Sequence, residues 1–555
     1  MPNTGRPSRA CYSCRQRRIK CDLVRPACGQ CLRKRHACPG YRNELDARFQ
    51  VQTMYSFEDY MNSDRRKSYR QSYRVHVSSR YETHFLHRPT THEHVRLASS
   101  MPSTPDTSLS ARWYSMTGPK DADFKILRPL GRWTTVIPVR LGWNEALDTA
   151  AIYALDACTA HFHPSEINAR KVLVSAMKAV QSLRLAWQQA TPTNPGELID
   201  LMLTVQLHFS AEVFRRLQSR VYLLHMTALS TLLKSCDQSV LNTDIAQSIF
   251  SSIIYEEVVY SYFSGTDSTF DNPSFLQGLK SGILLWKSPL ATVTAWIYEH
   301  LIQLPRALRL VRSLYGSQDP NIFAETVQLI KKLYNDDCDP LIPQIIENLA
   351  TTIPTRSPEN AGLVPLSYQF ESTYIFKIFT RYFTFRILLY GLLQGLHQVY
   401  ALDIDMAVVQ ANDVHTAYSM AMCVDHALHT YPADGLLCVR LILPLQFSFM
   451  SWHQLEMRSE AMESESAAAD YQRATDMKLL VVRIVMEIDA AWERGQTSLS
   501  KRYEVCERLA QALGGGPQNQ RLQDYTDTKQ IIALAGDPVV DERSSTQKTF
   551  GVVEQ

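Results

Sequence analysis

No uninterrupted apolar run in these 555 residues approaches the roughly 18 positions that a membrane-crossing helix needs. No apolar segment follows the polar start Met1-Pro2-Asn3-Thr4-Gly5-Arg6 either, which argues against an export leader. Together these absences lead to the expectation of a soluble chain with no membrane partner, in a reducing compartment. Catalytic signatures are missing too: no HExxH, GxSxG or phosphate-loop pattern occurs. Gly514-Gly515-Gly516 lacks the strand and the downstream lysine of a phosphate cradle. His161 and His163 flank Phe162 beside Pro164 with no third ligand at a useful spacing, so they read as a surface or capping pair. The expectation is that the chain is not an enzyme. No stretch alternates apolar and polar residues as a half-buried strand does.

What the chain has is unevenly placed. The net charge is only +3, yet residues 1–50 hold twelve Lys or Arg against Asp22, Glu44 and Asp46, which leaves the remainder at −6. A basic surface confined to one end seeks a polyanion. Six of the twelve cysteines, Cys11, Cys14, Cys21, Cys28, Cys31 and Cys38, crowd into the same segment, while the other six are scattered singly. Clustered cysteines in a reducing compartment hold metal more often than they form disulfides.

The cysteine spacing is C-x2-C-x6-C, six residues, then C-x2-C-x6-C, so that Cys11, Cys14 and Cys21 recur as Cys28, Cys31 and Cys38 at a constant offset of 17. Zinc takes four tetrahedral ligands, and thiolates two residues apart in a tight turn both reach an ion about 2.3 Å away. Six thiolates are too few for two separate four-coordinate sites. They suffice for two Zn2+ ions if two sulfurs bridge, since six sulfurs then fill eight positions. Between the cysteines lie Arg15, Arg17, Arg18 and Lys20 in the first repeat and Arg33, Lys34 and Arg35 in the second. A helix starting at Cys14 projects Arg17 and Arg18 from its first turns and lets Arg15 and Lys20 reach flanking phosphates. Arginine pairs bidentately with guanine O6 and N7.

Arg9, Cys11, Cys14, Arg15, Arg17, Arg18, Lys20, Cys21, Asp22, Pro26, Cys28, Cys31 and Cys38 together resemble the fungal binuclear zinc cluster pattern of transcription factors. The resemblance implies that Cys11 and Cys28 are the bridging ligands and that the first helix enters the major groove of double-stranded DNA. It also implies that Arg18 holds the main base-reading position, that Pro26 is the loop proline joining the halves, and that the target contains CGG-like triplets. A nuclear regulator of RNA polymerase II transcription follows, with an activator favoured. Its further partners are then transcription machinery or co-regulators, with room for a homodimer and a small-molecule effector. Leu45, Phe49 and Met54 do not sustain the heptads of a dimerising coiled coil.

The fold expected is mostly α: a two-zinc six-cysteine module at 1–43, a largely disordered basic and polar linker at 44–130, an all-helical regulatory domain at 131–512 and a disordered tail at 513–555. Within the linker, Arg65-Arg66-Lys67 with Arg70 and Arg74 reads as a solvated face, with an import signal or further phosphate contacts as the alternative. Leu147, Ala151, Ala154, Cys158 and Phe162 outline one helical face, and further helical patterns run at 168–190, 198–216, 219–235, 291–315, 367–394, 404–430 and 468–495. This body resembles the helical region that follows the cluster in many fungal regulators, in particular the type that opens with a helical pair near 145–190. Leu224–Leu229 with Leu232-Leu233, and Leu441–Leu445 around Pro444, resemble recurring segments of that region and read as core packing. Phe370, Tyr374, Ile378 and Tyr382, four residues apart, read as core, with a small-molecule pocket as the alternative. Asp336, Asp337 and Asp339, and Glu463 with Glu465, are the acidic stretches nearest in kind to an activation segment.

Overall fold

The computed structural model describes residues 13–14, 17, 19–23, 28–34, 38, 105–118, 126–189, 194–215, 219–284, 288–316, 319–335, 341–430, 435–493 and 498–513. Residues 39–104, the tail beyond 513, and Asp336, Asp337 and Asp339 lie outside them, and with them most of the expected linker. The chain divides into two units, Met1–Met101 and Pro102–Gln555. The first carries the cysteine module, whose described residues include the short helix α1 (Gly29–Arg33).

The second unit opens with α2 (Pro105–Thr117), inside the stretch read as linker. Its sequence has no apolar stripe, and tertiary contacts hold it. Trp113 is fully buried and donates Nε1–H to the Thr134 carbonyl at 2.9 Å, and Arg112 pairs with Asp156 at 2.7 Å. Two short 3-10 turns, Arg128–Leu130 and Arg132–Thr135, lead into α3 (Glu145–Phe162). Asn144 caps α3 by accepting from the Ala146 and Leu147 amides, which satisfies two of the first-turn donors. The expected face is buried at Leu147, Ala151, Ala154 and Cys158. Packed along it is α4 (Glu166–Gln189), so the helical pair anticipated near 145–190 is present.

Buried nearly all round is α5 (Pro195–Phe214), started by Asn194 as cap and Pro195 at the first helical position. It is followed by α6 (Ser219–Ser235), α7 (Gln238–Leu241), α8 (Asp244–Ser264), α9 (Pro273–Leu284), α10 (Pro289–Gly316), α11 (Pro320–Asn335) and α12 (Leu341–Asn348). Thr243 caps α8, and Gly265 ends it with φ +69°, the left-handed conformation that glycine adopts without a Cβ penalty.

Next comes a departure from the all-helical expectation. Strand β1 (Ala350–Pro354) pairs antiparallel with β2 (Leu366–Phe370), in register Ala350↔Phe370 to Pro354↔Leu366, around the short helix α13 (Pro358–Ala361). Asp425 secures the connection by accepting from the Arg356 and Ser357 amides at 3.0 and 3.2 Å. The helix anticipated from 367 therefore begins only after Ser372, which caps α14 (Thr373–His397). The run Leu366-Ser367-Tyr368-Gln369-Phe370 does alternate, but its partner Ala350–Pro354 does not, and Phe370 also fits the helical spacing that continues through Tyr374, Ile378 and Tyr382.

The body closes with α15 (Met406–Met422), α16 (Val424–Thr430), α17 (Leu436–Glu460), α18 (Glu465–Glu493) and α19 (Leu499–Leu513). Pro444 lies buried inside α17, as the Leu441–Leu445 segment led one to expect. By length and composition α17 is apolar enough to cross a membrane, but 78% of its most apolar window is buried inside the body, the behaviour of a core helix. One continuous apolar core joins the helices from α2 to α19 other than α13.

Candidate metal centre and nucleic-acid interface

The module's local structure follows its duplicated sequence. The chain is helical at Ser13 and Cys14, where the Arg17 amide donates to the Ser13 carbonyl at 3.2 Å and the Ile19 amide to the Cys14 carbonyl at 3.0 Å. In the second repeat Cys28 caps α1. Its carbonyl accepts from the Cys31 and Leu32 amides at 3.1 Å each, and its Sγ accepts from the Cys31 amide at 3.3 Å.

Between the repeats Leu23 has φ +62°, an uncommon conformation for a bulky side chain. The preceding Asp22 accepts the Gly29 amide through Oδ1 at 3.1 Å, tying the end of the first repeat to the start of the second helix. A Cβ built on Gly29 stands 2.5 Å from Asp22 Oδ2, so a larger residue there would have to displace the Asp22 carboxylate. Asp22 entered the sequence reading only as part of a pattern, and its clamping role has no local signal because its partner is seven residues away.

Cys14, Cys28 and Cys31 are buried, and the half-buried Cys21 and Cys38 pack against them. The thiols fall into two donor groups, Cys14 with Cys28 and Cys31, and Cys21 with Cys28 and the Asp22 carboxylate, each within 4.8 Å. Cys28 belongs to both groups. Its Sγ is 3.7 Å from Cys14 Sγ, far beyond the ~2.05 Å of a disulfide. The separation fits one edge of a thiolate tetrahedron around zinc, about 3.8 Å for bonds of about 2.3 Å. The donor set present therefore suits zinc. Cys11 lies outside the described residues.

Around this cluster the described cations face outward. Arg17, Lys20, Arg33 and Lys34 are exposed. The Arg17 guanidinium donates to Ser13 Oγ and Arg33 Nε donates to the Gly29 carbonyl at 3.4 Å. Arg15, Arg18, Arg35 and Pro26 are outside the described residues. A cysteine-lined interior with an arginine-bearing exterior is the arrangement by which a metal-held fold presents charge to phosphates.

Residues 9–48 match the fungal Zn(2)-Cys(6) binuclear cluster domain. No curated protein and no solved structure shows a significant match to the chain. The six clustered cysteines are thus a binuclear zinc site, and the cluster domain marks the chain as a zinc-dependent DNA-binding regulator of transcription. Such regulators act in the nucleus. The match covers the cluster domain only; the helical body stands on its own structure.

In that body the residues weighed for other chemistry resolve into packing. Phe370, Ile378 and Tyr382 are buried in the core, and the half-buried Tyr374 meets Thr294 Oγ1 through its hydroxyl at 3.1 Å. Phe370 sits on β2 rather than on the helix with the other three, so the four-residue spacing joins two different elements. His161 packs against Trp492, tilted at 39° with 4.1 Å between ring centroids, with Nδ1 3.2 Å from the Phe214 carbonyl, and His163 is the C-cap of α3. Met226, Leu229, Leu232 and Leu233 are buried, whereas Leu224 points outward. Glu463 and Glu465 are exposed at the start of α18.

Proposed function

We propose that this protein reads CGG-like DNA triplets through the major groove, with Arg17 and Arg18 on the base edges and Arg15 and Lys20 on flanking phosphates, and that its helical body regulates or recruits transcription machinery. Cys11 and Cys28 bridge the two zinc ions, with Cys14, Cys21, Cys31 and Cys38 as terminal ligands. The observation that carries this reading is the Cys28 thiol shared by two donor groups, in a module whose Arg17 is exposed. When bound, zinc supplies cross-links that a segment this short cannot replace with a hydrophobic core. The protein's own contribution is the cationic surface and the arginine geometry that pairs with guanine.

Selection of bound sequences from random DNA by the zinc-loaded full chain tests the proposal. Enrichment of a CGG-like triplet supports it, and paired triplets at fixed spacing would add a dimer. Enrichment of no triplet at all overturns it.

A further inference from the structure

Helix α4 buries only Val172, Ser175 and Ala179 of its 24 residues. These small and medium side chains bring it close to α3 and leave its larger apolar side chains outside. Ile167 is 68% exposed and Val174 48% exposed. With Ile152 of α3 they line an open groove of about 520 Å³ between the two helices. Surface of this kind on a folded body marks a docking site more often than chance would place it there.

The charge around the groove is mostly positive. Arg170, Lys171 and Lys178 stand along the α4 side. Arg170 meets Glu166 at 4.0 Å with both side chains largely exposed, an ion pair of little strength. Lys171 and Lys178 make no ion pair among the described residues. The acid in the groove, Asp156, is already engaged by Arg112 at 2.7 Å. Ile167 and Val174 are seven residues apart, two turns of helix, with Lys171 and Lys178 each four residues beyond one of them. An apolar row edged by lysines complements a helix that carries an apolar row edged by carboxylates. A second copy fits poorly, because a two-fold contact places the same patch on both sides and sets Lys171 and Lys178 against themselves.

We propose that the α3–α4 groove receives an acidic amphipathic helix of a partner protein. The occupant presents bulky apolar side chains to Ile152, Ile167 and Val174 and carboxylates to Lys171 and Lys178.

The test uses the zinc-loaded full chain and a fluorescent designed peptide of about five helical turns, with leucines along one face and glutamates on both flanks. Saturable binding is expected, weakened about tenfold or more by Val174→Asp and by Lys171→Glu with Lys178→Glu. A peptide of equal charge with serines for leucines is expected to bind far more weakly. Equal binding of that serine peptide would mean capture by the basic cluster domain and would overturn the proposal. So would wild-type affinity in the lysine pair variant, or no binding at all. These positions are exposed, and retained DNA binding together with an unchanged thermal midpoint verifies folding. If Val174→Asp instead converts a dimer to a monomer in light scattering, the groove belongs to a second copy and the proposal fails.

Discussion

Asp22 accepts the backbone amide of Gly29 at 3.1 Å, across the boundary between the two cysteine repeats. The contact is close enough that a Cβ on Gly29 meets the same carboxylate at 2.5 Å. Gly29→Ala is therefore expected to push Asp22 aside and cost the zinc-loaded domain about 1 kcal/mol, the usual net worth of such a hydrogen bond. Asp22→Ala should cost a similar amount, and the double variant no more than either alone. Denaturant titration of the zinc-bound domain checks this, and additive losses would show that the two residues act independently.

The shared position of Cys28 separates it from the cysteines of the body. Cys28→Ala is expected to remove metal from both donor groups and abolish specific DNA binding. Cys158→Ala, at a buried cysteine of α3, should leave zinc content unchanged. Zinc assay with DNA titration on both variants distinguishes them, and loss of only one zinc on Cys28→Ala would contradict the bridging role.

Base reading and phosphate contact divide by salt and sequence. Arg18→Ala is expected to weaken the specific site by about 1–3 kcal/mol, and Arg15→Ala to weaken specific and random DNA alike while lowering the salt slope by about one unit. Affinity measured against salt on both DNAs gives the answer. Equal losses on both DNAs for both variants would remove the distinction.

The body carries its own pH dependence. Burial, with the neighbouring His225, pushes His208 down to about 3, and burial alone takes His225 to about 4. A histidine that stays neutral when folded but takes up a proton when unfolded adds stability that is complete above about pH 6.5 and declines as pH falls toward its folded value. Burial of Asp413 and Asp489, each raised to about 6, acts in the opposite sense: their contribution is complete below about pH 4 and declines as pH rises through 6. His208→Leu should therefore lose less stability, or gain more, than the wild type between pH 7 and pH 5. Urea midpoints at the two values check this, and parallel shifts in the two proteins would refute it.

The zinc site was legible because its information is local: six cysteines at fixed offsets state the ligand set without any fold. The helical faces were nearly as clear, since Leu147, Ala151, Ala154 and Cys158 declare a buried side through period alone. The hairpin at Ala350–Phe370 was not, because its strands are short and its anchor, Asp425, comes from far along the chain. Phe370 misled by continuing a helical spacing across Ser372. The polar helix α2 was hidden for the same reason, being held by Trp113 and Arg112 against distant partners. Nor could the sequence tell which apolar side of α4 is covered, since Ile167 and Val174 look as buriable as Val172.

Native mass spectrometry of the zinc-loaded chain, with DNA binding followed as a chelator is added, tests the central claim most directly. Two zinc ions per chain, released together with specific DNA binding, is the predicted result. One zinc per chain, or DNA binding that survives complete removal of the metal, would contradict it.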